Sequence, residues 1–347
     1  MSIIRMAQFG VGHGHAAGKA AAMRANPAVD FAGVFEPDPA AREAAAGHRA
    51  YAGARWFRSE DELLGDPTIQ ALAIEGLNAE SLPMALAGAR AGKHLWYDKP
   101  AGDDWSLYQQ LVAAVRANRV YLQMGYMFRY QDGFQRLAEW VRGGLLGDVF
   151  SVRAHMSTWI PEAGGAFTRG TIAASHDAGI LYDLSGHMLD QLLWLLADER
   201  PHRIASFLRN DATAGIPRFK DNTLGVYEFA RAIAMIDIAA MEHQPTARRF
   251  EVYGTRGSVI LDPMEPATGA RLVLDAARGG FQKGLQVVPL AGTTRQRSYE
   301  LELEAFMPIA LGERPPDRPL EHEILVQETL LRATGSIRSE EGDRTTP

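Results

Sequence analysis

The run His94-Leu95-Trp96-Tyr97-Asp98-Lys99-Pro100 ends a short apolar strand in an acid, a lysine and a proline. Only five residues are lysine (19, 93, 99, 220 and 283), although Lys and Arg together number 36, so most cationic positions use arginine. A lysine directly before a proline, at the exit of a buried strand, suits a site that needs a compact ammonium whose pKa responds to its surroundings. Arginine cannot supply that, because it stays charged throughout. The plainer alternative is a surface lysine whose stem lies along the strand end while its head reaches water.

A second constellation is Asp183-Leu184-Ser185-Gly186-His187-Met188-Leu189-Asp190. On a helix, residues 183, 187, 190 and 194 share one stripe, which lines up Asp, His, Asp and Trp. A carboxylate one turn from an imidazole can orient the ring and raise its basicity, the preparation a general acid/base needs. The competing account has Asp183 capping the helix and His187 packed on a sheet, beside an apolar face of Leu189, Leu192, Leu193 and Leu196.

Gly10-Val11-Gly12-His13-Gly14-His15 lies between a strand and a helix. The first glycine allows a tight turn and the second lets backbone approach a pyrophosphate, whose charge the helix N-terminus favours. Glu36 ends the second strand 24 residues past Gly12, near the ~20 expected for an acid that binds the adenosine ribose. Its carboxylate would repel a 2′-phosphate, so NAD is expected in preference to NADP. Position 15, where a third glycine or alanine is usual, is histidine; that puts close helix–sheet packing in doubt and sets an imidazole near the phosphates.

Further candidates are weaker. Asn78 follows a strand of the same sheet and, with Pro100, is expected beside the cofactor; alternatively Asn78 caps the next helix. Arg129, His155, Trp159, Arg169 and His176 are candidate substrate contacts, with loops 155–178 and 209–221 setting specificity. For Arg129 an inter-domain salt bridge is an equal possibility. No metal site is expected.

The elements that position these residues change character along the chain. Residues 1–125 alternate short apolar strands (3–9, 29–35, 69–74, 94–97 and 120–124) with helices (16–25, 39–47, 82–91 and 105–118). That alternation indicates βαβ units and a doubly wound, Rossmann-type parallel sheet. From 126 to 337 a helix (134–142), a strand (149–155), a loop and an apolar helix ending at 196 lead into long alternating strands at 203–208, 224–229, 232–239, 250–253 and 258–261. Helices at 299–311 and 321–334 follow. This predicts an α/β plus α+β chain whose second domain carries a large, mainly antiparallel, open-faced sheet. Residues 338–347 read as a disordered tail.

Composition narrows the class of function. With 347 residues the chain has room for two cores. A net charge of −6 offers no basic stripe for nucleic acid. The absence of cysteine removes thiolate catalysis and disulfides. Residues 1–9 read as a strand rather than a leader, and no apolar run reaches membrane-spanning length. The expectation is a soluble cytoplasmic protein.

Taken in order and at this spacing, these elements resemble the glucose-fructose oxidoreductase / inositol dehydrogenase / rhizopine-catabolism (Gfo/Idh/MocA) family over about residues 3–335. The resemblance rests on the glycine opening, Glu36, Asp98-Lys99-Pro100 and the Asp183-x-x-x-His187-x-x-Asp190 pattern. Phe250 to Ser258 is similar to the family's Tyr-Gly-Thr-x-Gly turn, and Glu304-Ala305-Phe306 with Arg314-Pro315-Pro316 to its closing helix and loop. It implies an NAD(P)-dependent dehydrogenase or reductase acting on a CH–OH group of a sugar, cyclic polyol or derivative. Lys99 would hydrogen-bond the reacting hydroxyl, His187 would shuttle its proton, and Asp183 would orient the substrate or the imidazole. NAD would lie across the C-terminal edge of the first sheet, its nicotinamide facing the cleft between domains. The sequence departs from the family in having Asp98 where Glu is commoner, Ser81 where a histidine is usual, and His15 for the third glycine.

Three other accounts compete. A relative of the same fold could use NAD transiently to cleave glycosides, or serve as a non-catalytic nucleotide sensor that would not need Lys99 or His187. An amidohydrolase-type barrel could use His13 and His15 as metal ligands, with Lys99, His187 and Asp190 as further ligands. It would require eight repeated βα units, whereas this chain gives six strands, the sixth at 149–155, and then changes to long alternating strands. Val226, Ile233, Met235, Ile236 and Ile238 exceed what one buried face needs, so a homodimer or homotetramer through the second-domain sheet is expected.

Overall fold

The computed structural model describes residues 2–160, 179–212, 219–243, 245, 247–337 and 343–346. It divides into two compact units: Met1–Tyr126 with Gln296–Ile324, and Met127–Arg295 with Leu325–Pro347. The chain thus leaves the first unit after Tyr126 and returns to it for Gln296–Ile324, where the sequence reading has a single boundary and keeps 126–337 together.

In the first unit the elements run β1 (Ile4–Phe9), α1 (Ala16–Ala25), β2 (Val29–Phe35), α2 (Pro39–Ala46), α3 (Glu60–Leu64), β3 (Ala71–Ile74), α4 (Ser81–Arg90), β4 (His94–Asp98), α5 (Trp105–Asn118) and β5 (Leu122–Gly125). Five parallel strands are ordered β2-β1-β3-β4-β5. β3 is an unbroken apolar run, and all four of its residues are buried, as a strand covered on both faces requires. Local chemistry starts the helices: Asp38, Ser59 and Asp104 accept from the N–H groups of Ala40, Glu62 and Leu107 at the starts of α2, α3 and α5. Between β1 and β3 the strand order reverses, so the loops after them diverge and open a crevice at the strands' carboxyl ends.

The second unit contains α6 (Asp132–Arg142), β6 (Val149–Met156), α7 (Gly179–Leu195), β7 (Arg203–Arg209), β8 (Asn222–Glu228), β9 (Ile233–Ala239), β10 (Arg248–Gly254), β11 (Gly257–Leu261), β12 (Gly269–Leu274) and β13 (Gly284–Pro289). Two helices, α8 (Arg295–Ala310) and α9 (Leu320–Ala333), and a last strand, β14 (Arg344–Thr346), complete the chain. The nine-stranded sheet has the order β13-β12-β11-β10-β6-β9-β8-β7-β14. It is mixed: β6 pairs with β9, and β7 with β14, in parallel, while the other neighbours are antiparallel.

One face of this sheet is covered. α7 packs on β6, β8 and β9, and α6 sets Phe134 edge-on against Phe250 of β10, with ring centroids 5.3 Å apart. Every residue of α7 except Trp194 is buried, so the helix has no solvent face.

Three strands lie outside the sequence reading. β13 has no buried residue, so it lacks the alternation that betrays a strand. β12 buries only Ala270, Leu272 and Leu274. β14 lies in the segment expected to be without structure; Asp343 just before it accepts from Arg332 Nε at 2.9 Å and from the Ile204 N–H at 2.7 Å.

α8 returns to the first sheet. Gln123 of β5 donates to the Glu302 carbonyl at 3.0 Å, and the Tyr121 ring stacks on Phe306.

Candidate active site

At the end of β1, Gly10 adopts φ +87°, and an added Cβ would stand 2.5 Å from Gly76 N. The loops after β1 and β3 touch here, and only glycine fits. His13 N donates to the Glu75 carbonyl at 2.9 Å, tying the two loops together. A Cβ on Gly12 would meet Leu77, whereas Gly14 faces open space with no atom within 4 Å. α1 then begins with no side chain capping it. Open room, close backbone and an uncapped helix start are what a dinucleotide pyrophosphate requires, so these residues fit that group.

Glu36 is buried at the end of β2 and accepts from Val11 N at 2.8 Å and Asp38 N at 2.9 Å. Burial pushes its carboxyl up, opposed by these two backbone hydrogen bonds. A carboxylate has about four lone-pair sites, so capacity remains for ribose hydroxyls. Asn78 is buried ahead of α4, whose capping position belongs to Glu80 rather than to Asn78.

Lys99 follows β4 and is 5% exposed, so it is not a snorkelling surface lysine. Its backbone N–H donates to Asp98 Oδ1 at 2.8 Å, and the Lys99–Pro100 peptide is cis. Asp98 is the hub of a buried cluster that sequence reasoning missed. Lys19 Nζ on α1 lies 2.9 Å from both Asp98 Oδ2 and Glu75 Oε1, and 4.4 Å from the Trp96 ring centroid. His15 Nδ1 is 3.0 Å and His13 Nδ1 3.4 Å from Asp98 Oδ2.

The electrostatics follow from burial and sign. Burial would lower the Lys19 ammonium, but Asp98 and then Glu75 more than offset it and hold its pKa up. Burial would raise the Asp98 carboxyl, yet His13, Lys19 and His15 keep it well below the usual range. Glu75 is pushed well up, mainly by burial, and His13 well down, also by burial. His13, His15 and Asp98 present ligand atoms within 4.8 Å of one another, a spacing a divalent cation could bridge. The Lys19 ammonium already holds Asp98 Oδ2, which disfavours a second cation there.

His15 thus turns onto Asp98 and the Tyr299 ring, 5.2 Å away. On α1 itself Ala16 and Ala20 are buried, and Gly18 admits Tyr299 of α8, whose ring would lie 2.5 Å from an added Cβ. The signals for the cluster were a lysine on an alanine-rich helix and Glu75 directly after the apolar β3.

In the second unit, α7 carries Asp183 and His187 one turn apart, both buried. Asp183 lies inside the helix, so it is not a cap. His187 is 2% exposed and meets Phe128 edge-on at 5.1 Å. Asp190 serves a different purpose. Fully buried Arg129 donates to it through Nη2 at 2.6 Å and Nε at 3.1 Å, and Gln191 donates at 2.7 Å. This salt bridge lies within one unit, so Arg129 makes no inter-domain pair with Asp190. Trp194, last on the stripe, stacks under Arg142 at 3.9 Å.

His155 has both ring nitrogens occupied, by Asp237 at 3.0 Å and Glu242 at 2.9 Å; the Asp237 hydrogen bond chiefly raises its pKa. Trp159 is 43% exposed and forms a backbone bridge with Met241. Arg169 and His176 lie outside the described residues.

Fold and dinucleotide cradle define a Rossmann-type oxidoreductase. The chain belongs to the GFO/IDH/MocA family: residues 4–126 match its oxidoreductase NAD-binding Rossmann fold and residues 134–260 its C-terminal domain. Among similar proteins, 1,5-anhydro-D-fructose reductase of Ensifer adhaerens is 26% identical over 270 residues, 74% of each chain. Myo-inositol 2-dehydrogenase of Thermotoga maritima is 23% identical over 271 residues, 75% of each. Levoglucosan dehydrogenase, solved with NADH and levoglucosan, shares the fold with a TM-score of 0.80 over 96% of this chain and 98% of its own, at 17% identity. Among the described residues no helix is long and apolar enough to cross a membrane.

Proposed function

We propose that this protein is an NAD-dependent dehydrogenase or reductase acting on a secondary CH–OH group of a sugar, cyclic polyol or derivative. The observation that carries the reading is Lys99, an ammonium-bearing side chain enclosed at the carboxyl end of β4 with its backbone pinned by Asp98. Lys99 Nζ donates a hydrogen bond to the reacting oxygen and stabilises negative charge as it develops. His187 takes the hydroxyl proton in oxidation and returns it in reduction, and Asp183 one turn away orients the substrate or the imidazole. Bound NAD supplies the hydride acceptor, and NADH the donor. The names of the relatives support the substrate class.

The test is NAD reduction, followed at the nicotinamide absorbance band, against sugars, inositols, sugar acids and levoglucosan, with 1,5-anhydro-D-fructose tried against NADH. Turnover on any of these supports the reading. Tight NAD binding without turnover on any would move the assignment to transient-oxidation glycoside cleavage or nucleotide sensing.

Glu36 selects NAD over NADP in this reading. Glu36→Ser is expected to weaken NADH binding about 10–100-fold, the cost of losing hydrogen bonds to a charged acceptor. The preference against NADPH should narrow with it, as fluorescence titration of both cofactors would show. Unchanged discrimination would remove Glu36 from the cofactor site.

We further infer self-association through the open face of the nine-stranded sheet. Phe207, Ile233, Val273, Leu285 and Val287 stand exposed on it, Leu285 at 69% and Val287 at 67%. Of the residues expected there, Ile236 and Ile238 point instead to the covered face and are buried. Light scattering should give a multiple of the chain mass, and Leu285→Glu with Val287→Glu should lower it; a wild-type monomer at micromolar concentration would end this inference.

A further inference from the structure

Lys19 has no role in the reading above, yet its side chain is 0% exposed. The carboxyl ends of three strands converge on its ammonium. Glu75 follows β3, Asp98 ends β4, and Gly125 ends β5, where an added Cβ would stand 2.8 Å from Nζ. Asp98 divides its oxygens between two tasks: Oδ2 takes the Lys19 ammonium at 2.9 Å, while Oδ1 accepts the Lys99 backbone N–H at 2.8 Å. A carboxylate torsion is broad and roughly two-fold on its own, so Asp98 needs an anchor on one oxygen to hold the other still. His15 reaches both oxygens, at 3.0 and 3.3 Å, and by itself selects neither strongly.

We propose that Lys19 is a positioning residue for Lys99, acting through Asp98: the enclosed ammonium fixes the carboxylate that fixes the first turn after β4. The inference rests on the reading of Lys99 as the group that contacts the reacting oxygen. Glu75 completes the anchor from the end of the neighbouring strand, its Oε1 2.9 Å from the ammonium. The same geometry accounts for lysine rather than arginine at position 19: a point-like ammonium fits the space Gly125 leaves, and a planar guanidinium would not.

The test uses the full chain as wild type, Lys19→Met, Asp98→Asn and the double variant, which removes both charges together. Competitive acetylation with acetic anhydride, read by peptide mass spectrometry, reports the reactivity and titration of Lys99 without any substrate; Lys283 and Lys93 are internal references. Lys99 reactivity is expected to change several-fold in Lys19→Met and in the double variant, with the references unmoved. On whichever substrate turns over, kcat should fall about 10²-fold, the cost of a misplaced group, while NADH affinity holds and Lys19→Arg recovers little.

Unchanged Lys99 labelling and kcat in folded Lys19→Met and double variants would overturn the proposal. If Lys19→Met alone unfolds, the double variant decides. Failure of both to fold would assign Lys19 to stability and likewise overturn it. Should Lys99→Ala retain turnover, the Lys99 reading fails, and the labelling result by itself still decides whether Lys19 controls Lys99.

Discussion

Lys99→Ala is expected to lower kcat about 10³-fold, equivalent to about 4 kcal/mol of transition-state stabilisation. NADH affinity should stay within about threefold of wild type, because the lost hydrogen bond belongs to the reacting oxygen and forms fully only in the transition state. His187→Ala should cost about 10²–10⁴-fold, the range for a positioned acid/base. The double variant should lose less than the product of the two, since groups acting on one proton transfer behave as a unit. Single-turnover kinetics with a substrate from the panel would measure all three. Full activity in Lys99→Ala would remove the proposed chemistry and leave the fold and its cofactor domain as the only basis for assignment.

Arg129→Ala is expected to be the most destabilising single change in the second unit. It leaves Asp190 fully buried with its main partner gone, and an uncompensated buried charge costs about 3–5 kcal/mol. For a domain of this size that corresponds to a midpoint lower by about 6–20 °C. Arg129→Met with Asp190→Leu should recover much of the loss, because an apolar pair of similar volume removes both desolvation penalties. Differential scanning calorimetry of the three variants would test this. Equal stability of Arg129→Ala and wild type would mean that Arg129 serves a ligand rather than α7.

These two outcomes also separate what the sequence revealed from what it hid. The enclosed positions of Lys99 and His187 were legible because each stands where its chemistry conflicts with its surroundings: a rare lysine at a strand exit, and an imidazole in an apolar helix. The parallel sheet was legible because short apolar runs alternated with helices. The Lys19–Asp98–Glu75 cluster was not, since its members are separated by 56 and 23 positions and only the convergence of strand ends makes them neighbours. Asp190 was visible as part of a stripe, but nothing local showed that Arg129, 61 residues earlier, takes it. β13 escaped because a strand at an open sheet edge needs no buried residue, and β12 because apolar Val273 on its open face breaks the apolar–polar alternation. The return of Gln296–Ile324 to the first unit was hidden because helical periodicity reveals an apolar face and not the surface it covers.

That return sets an order on synthesis. Ile324 leaves the ribosome 198 residues after Tyr126, an interval of about 10–40 s at usual translation rates. Throughout it, the five-stranded sheet waits without the helix that receives Gln123 and Tyr121. A gene fragment stopping at codon 126 therefore encodes a domain with a missing wall, and a single crossover between relatives at that point transplants only part of one. Exchange of whole cofactor domains in such a chain needs three breakpoints, after residues 126, 295 and 324.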